Sequence, residues 1–105
     1  MQKVVTDKAE IIRLLRLNSK IIESFGAKRI GIFGSFIKNQ QKIDSDIDIL
    51  IEFKTGMKNF DNFINLSIFL EDLFNSEIDL ITPDSLSKSF LNRIKNEIEY
   101  VLINT

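Results

Sequence analysis

The chain contains no cysteine, no histidine and no tryptophan, and only one proline. Without cysteine it can form no disulfide, no thiolate metal site and no cysteine nucleophile. Without histidine it lacks the commonest general base and the commonest zinc ligand. Any metal chemistry must therefore rest on oxygen ligands, which favours Mg²⁺ or Mn²⁺. Nine Phe beside a single Tyr point to aromatics used mainly as core filler. An excess of positive charge is missing too: 14 basic residues face 15 acidic ones, a net charge of -1. That balance argues against direct nucleic-acid binding, which needs a basic face to release counterions. No apolar run approaches the roughly 20 residues needed to cross a bilayer, and charges interrupt the first segment where a signal pattern would lie. The expectation is one soluble, cytoplasmic domain spanning 1–105. Its 44% hydrophobic content suffices for a core. A chain this short has much surface for its volume, so leftover exposed apolar surface would point to a partner.

Thr6 or Asp7 can cap a first helix, and Asp7 with Glu10 has capping-box spacing. Ile11, Leu14, Leu15, Ile21, Ile22 and Phe25 recur at helical intervals, predicting an amphipathic helix of about five turns closed by Gly26. Arg29 to Phe33 is short, apolar and bounded by glycines, the pattern of a first strand. Ser35 can cap a short helical segment to about Gln40, followed by a polar loop. Asp46 to Phe53 reads as the second strand, with Ile47, Ile49, Ile51 and Phe53 on one face and Asp46, Asp48, Leu50 and Glu52 on the other. Phe60 to Phe74 is a dense helical stripe ended by Asn75-Ser76. Its apolar residues spread over more than one face, most of them serving the core and one side offering a partner or self-association surface. Glu77 to Ile81 is a third strand, with Glu77, Asp79 and Ile81 sharing a face. Thr82-Pro83-Asp84-Ser85 is a turn. A last helix runs from about Leu86 into the Asn96–Glu99 region. Tyr100 to Ile103 either continue that helix or form an edge strand; periodicity leaves both open. The order α-β-(α)-β-α-β-α implies an α/β (α+β) fold, with helices packed on a small mixed sheet. The strand-helix-strand crossover from the second to the third strand places them parallel and adjacent. Asp79 then faces the same side as Asp46 and Asp48.

The chemistry concentrates between Gly34 and Phe53. Two Asp at i and i+2 on a strand point the same way with Cα atoms about 6 to 7 Å apart. Their carboxylates can converge on one divalent ion, or on two ions about 3.5 to 4 Å apart. A third carboxylate from a neighbouring strand completes the second ion's site or serves as the base for an attacking hydroxyl. A lone Asp-x-Asp is common and often only caps a turn, but carboxylates on a core strand repel one another unless a cation joins them. Gly34-Ser35 is equally ordinary by itself. At a helix N-terminus, however, free N–H groups favour an anion, and Gly34 lets the backbone approach it. Other nucleotide and metal motifs fail. An EF-hand starting at Asp44 would need Gly and an acid where Ile49 and Thr55 stand. Gly26 and Gly31 have P-loop spacing but are followed by Ile32-Phe33 instead of Lys-Ser/Thr.

The whole string, Gly34-Ser35, ten residues, then Asp46-Ile47-Asp48, with Asp79 on the next predicted strand, resembles the minimal nucleotidyltransferases of the DNA polymerase β superfamily. Their signature is Gly-Ser-x10-Asp-x-Asp, and the likeness covers nearly the whole chain. The resemblance implies that Asp46, Asp48 and Asp79 ligate Mg²⁺, and that Gly34 and Ser35 hold the β and γ phosphates of a nucleoside triphosphate. Many members carry Arg-Gly where this chain has Lys38-Asn39. Lys38 can meet a phosphate as a point charge but lacks the bidentate fork of arginine. Small-molecule nucleotidyltransferases usually carry a further acceptor-binding domain. Stand-alone members resemble antitoxins paired with HEPN-domain RNase toxins, which they silence by ATP-dependent AMPylation of a tyrosine. That activity, with ATP as substrate and a HEPN toxin as partner, is the leading expectation. The alternatives are a binding-only antitoxin with a vestigial site, or the catalytic subunit of a small-molecule nucleotidyltransferase.

Overall fold

The computed structural model describes residues 7–34 and 47–103. Helix α1 runs Lys8–Leu17 and α2 Ser19–Ser24. Strand β1 is Ala27–Phe33 and β2 Ile47–Phe53. They are followed by α3 at Phe60–Phe74, β3 at Ile78–Ile81, a 3-10 turn at Pro83–Ser85, α4 at Lys88–Ile94 and β4 at Glu99–Leu102. The four strands form one mixed sheet in the order β3-β2-β1-β4. β1 is antiparallel to both its neighbours, and β2 and β3 are parallel. The expected parallel, adjacent pairing of the second and third strands is thus present. The expected α/β (α+β) architecture holds as well.

Local chemistry accounts for most boundaries. Asp7 caps α1, its side chain accepting from the Glu10 N–H at 2.8 Å. The single five-turn helix expected from periodicity is instead two helices meeting at Asn18. There the side-chain amide donates back to the Leu14 carbonyl at 2.9 Å, and the backbone departs to φ -107 and ψ 19. A short polar side chain bonding its own preceding turn bends a helix, and apolar periodicity does not register it. Asn59 caps α3, and Asn75 ends it in the left-handed conformation at φ 49, which Asn tolerates better than most residues. The last helix is shorter than expected. Ser87 caps it late, and the chain after Ile94 turns into β4. Tyr100 lies in that strand, paired with Gly31 of β1. Gly31 makes the pairing possible, because a Cβ there would sit 2.5 Å from Ile98 Cγ2 and 3.1 Å from the Tyr100 ring. The short helical segment expected after Ser35, and Asp46 at the start of the second strand, lie outside the described residues.

The sheet separates two apolar layers. On one face α1, α2 and α3 cover Ile30 and Ile32 of β1 and Ile47, Ile49 and Ile51 of β2, with Ile11, Leu15, Leu66 and Phe74 filling between them. On the other, α4 packs Ile94 against Phe33 and Leu50 in a smaller cluster bordered by Ile81, Ile98 and Tyr100. The aromatics only partly serve as filler. Phe33 and Phe74 are buried and most others half-buried, but Phe60 is 77% exposed. Asp48 lies on the less covered face, between Phe33 and the open edge at β3. No helix among the described residues is long and apolar enough to cross a membrane.

Candidate nucleotide-binding site

Strand alternation sends Asp48, Leu50 and Glu52 to the α4 face while their neighbours fill the main core. Leu50 is fully buried there, and Asp48, two residues toward the strand start, is half-buried. Its cross-strand partner on β1 is Phe33, so Gly34, the turn residue directly after the strand, reaches the Asp48 side chain. Gly34 has φ +80, a conformation that residues with a Cβ rarely adopt. A Cβ built on it would lie 2.1 Å from Asp48 Oδ2. The carboxylate therefore occupies space that only glycine leaves open.

The parallel register pairs Asp48 of β2 directly with Asp79 of β3. Neighbouring strands lie about 4.8 Å apart, so both carboxylates leave the same face side by side. Two charges at about 5 Å repel by roughly 1 kcal/mol in water and about 3 kcal/mol at an effective dielectric of 20. Asp79 is exposed, and the pairing continues one step further through the Ile47 N–H donating to the Glu77 carbonyl. Three of the sequence-expected residues, Gly34, Asp48 and Asp79, thus converge at one end of the sheet. Ser35, Lys38 and Asp46 lie outside the described residues. No cluster of three or more metal-ligating side chains occurs among the described residues. Asp48 and Asp79 supply two members of an all-oxygen donor set, and the missing Cβ at Gly34 leaves Asp48 Oδ2 room beside the turn. Such donors fit a hard divalent cation.

One feature of this face escaped sequence reasoning. Arg29 donates to Glu52 at 2.9 Å and lies 3.8 Å above the Tyr100 ring. The hydrogen bond to Glu52 raises the Arg29 pKa. This bridge ties β2, β1 and β4 together on the side that carries Asp48. Its members are scattered over the sequence, so only the register connects them. At the opposite end from the carboxylates, a groove of about 430 Å³ is lined by Glu52, Phe53, Lys58, Pro83 and Asp84.

A small mixed sheet with a glycine turn closing on paired carboxylates belongs to the class of nucleotidyl-transferring proteins, and sequence and structural comparisons agree. The chain belongs to the polymerase beta nucleotidyltransferase family, whose profile matches residues 9–104. It is 36% identical over 93 residues to the protein adenylyltransferase MntA of Thermococcus cleftensis, covering 88% of this chain and 93% of that one. Among solved structures it resembles one provisionally described as a minimal nucleotidyltransferase, with a TM-score of 0.68 and 25% identity over 84% of this chain and 93% of the other. It also resembles a toxin–antitoxin structure with AMP-PNP, with a TM-score of 0.61 and 26% identity over 88% of this chain and 69% of that one. The protein is a nucleotidyltransferase.

Proposed function

We propose that this protein is an antitoxin that transfers AMP from ATP to a hydroxyl, a tyrosine, of a cognate HEPN-domain RNase toxin and thereby neutralises it in the cytoplasm. The observation that carries this reading is the register match of Asp48 with Asp79, with the Gly34 turn closed against Asp48. The likeness to a protein adenylyltransferase and to a toxin–antitoxin structure with AMP-PNP supports the choice of a protein acceptor and an adenine nucleotide.

In this reading the Gly34-Ser35 backbone takes the β and γ phosphates, and Lys38 neutralises phosphate charge as a point cation. Asp46, Asp48 and Asp79 hold Mg²⁺, or Mn²⁺ in its place, which when bound offsets the charge on the phosphates. The acceptor oxygen bonds to the α-phosphorus while the bond to pyrophosphate breaks, and the hydroxyl proton leaves to a carboxylate. In this reading Asp79, the more exposed of the described pair, takes it. The chain contributes positioning and charge, in keeping with phosphoryl transfer in general.

The test incubates the protein with ATP labelled on the α-phosphate, Mg²⁺ and the co-encoded HEPN protein. Label should appear on a toxin tyrosine, vanish with chelator and vanish with Asp48→Asn. An unlabelled toxin beside the wild-type protein sinks the proposal. Full neutralisation by Asp48→Asn would mean that the protein acts by occlusion alone. Lys38-Asn39, where many relatives have Arg-Gly, is the sequence feature that favours that second reading.

A further inference from the structure

The layer opposite the carboxylates carries two exposed apolar stripes that the core does not use. On α3, Phe60, Ile64 and Ile68 follow one another at i, i+4 and i+8, and Phe60 and Ile68 are 77% and 56% exposed. At the α1–α2 junction, Leu17 and Ile21 stand four residues apart and are 68% and 48% exposed. The α3 residues at this spacing share one helix face, and Leu17 and Ile21 stand on either side of the bend at Asn18. The stripes belong to neighbouring helices, since Phe25 at the end of α2 meets Phe69 of α3 with ring centroids 5.8 Å apart.

Their surroundings carry opposite charge. α3 has three acidic residues, Asp61, Glu71 and Asp72, and no basic one. The segment from Lys8 to Ser24 has four basic residues against two acidic ones. Asp61 and Asp72 flank the α3 stripe, whereas Arg16 and Lys20 flank the other. None of these four makes an ion pair among the described residues. Along α1 a groove of about 540 Å³, lined by Ala9, Ile12, Arg16 and Leu17 among others, offers room for an apolar side chain with basic groups at its rim.

We propose that this helical face is the interface of a two-fold dimer of the chain, in which the acid-flanked α3 stripe of each copy lies on the base-flanked Leu17–Ile21 stripe of the other. A two-fold axis between adjacent helices of opposite charge brings both unlike pairs together at once and closes the assembly. A second copy supplies both halves of the complementarity seen on one chain. The dimer leaves Asp48 and Asp79 uncovered, because they leave the sheet from its other face. This inference is independent of the proposed AMP transfer.

Sedimentation velocity over a dilution series tests it with three proteins: wild type, an Asp61→Lys/Asp72→Lys variant and an Arg16→Glu/Lys20→Glu variant. Wild type should sediment at twice the chain mass of 12.1 kDa. Each variant, with circular dichroism unchanged, should fall to the single-chain mass. Mixing the two variants should restore the double mass, because both contacts of the mixed pair again join opposite charges. A wild type at single-chain mass throughout, variants that remain dimeric, or a mixture that stays monomeric each overturns the proposal. A monomeric wild type that binds the co-encoded nuclease, together with charge variants that do not, would overturn it and assign this face to the nuclease.

Discussion

Replacing Gly34 with alanine separates the two demands placed on that residue. The backbone at φ +80 strains any residue with a Cβ, at a cost of about 1–3 kcal/mol. The new methyl would also lie 2.1 Å from Asp48 Oδ2, so the carboxylate or the turn must move about 1.3 Å to reach ordinary van der Waals contact. A displacement of about 1 Å between reacting groups costs about 10²-fold in rate. A domain with roughly 5–15 kcal/mol of stability survives the strain, so the loss of rate reports on the site. Gly56 is the control. It has φ +79, but a Cβ there meets nothing within 4 Å. Gly56→Ala should lower the urea midpoint about as much as Gly34→Ala and leave AMP transfer at the wild-type rate. Gly34→Ala should lose about two orders of magnitude, measured with labelled ATP under saturating toxin. Equal transfer rates for the two variants would refute the claim that Asp48 needs the missing Cβ.

Asp79→Asn should abolish transfer and yet stabilise the metal-free protein by up to about 1 kcal/mol in urea denaturation, because it removes a charge beside Asp48. Phe74, fully buried at the end of α3, should cost about 3–5 kcal/mol on truncation to alanine, read as a fall in urea midpoint at unchanged slope. The hydrogen bond from Lys58 lowers the Asp84 pKa from its ordinary 3.8, so the stability that Asp84 contributes is present above 3.8 and lost as pH falls through the lower folded value. Carbon-detected NMR titration should show that depressed midpoint, and Lys58→Ala should return it towards 3.8.

Where one short-range rule governs, sequence and structure coincide. The bounds of α3 follow from an Asn cap, a dense apolar stripe and an Asn that accepts positive φ. The neighbourhood of Asp48 and Asp79 follows from strand-helix-strand order, since parallel pairing needs such a crossover. Where two segments distant in sequence decide together, the sequence is silent. β4 pairs with β1 because Gly31 leaves room for Ile98 and Tyr100, residues nearly seventy positions later, and nothing around Tyr100 states this. The bend at Asn18 was hidden for a different reason. The apolar spacing continues through it while a side-chain hydrogen bond changes the backbone. The Arg29–Glu52–Tyr100 bridge is a product of register alone.

The strand order β3-β2-β1-β4 divides the site between supports of unequal firmness. Gly34 emerges from a strand hydrogen-bonded on both sides, and Asp48 rides on another. Asp79 sits on a four-residue strand bonded on one side only. Edge amides open at lower free energy than central ones, so β3 should exchange its hydrogens well before β1 in the free protein. A ligand seated between them in the proposed site would meet one firmly held wall and one that opens more readily.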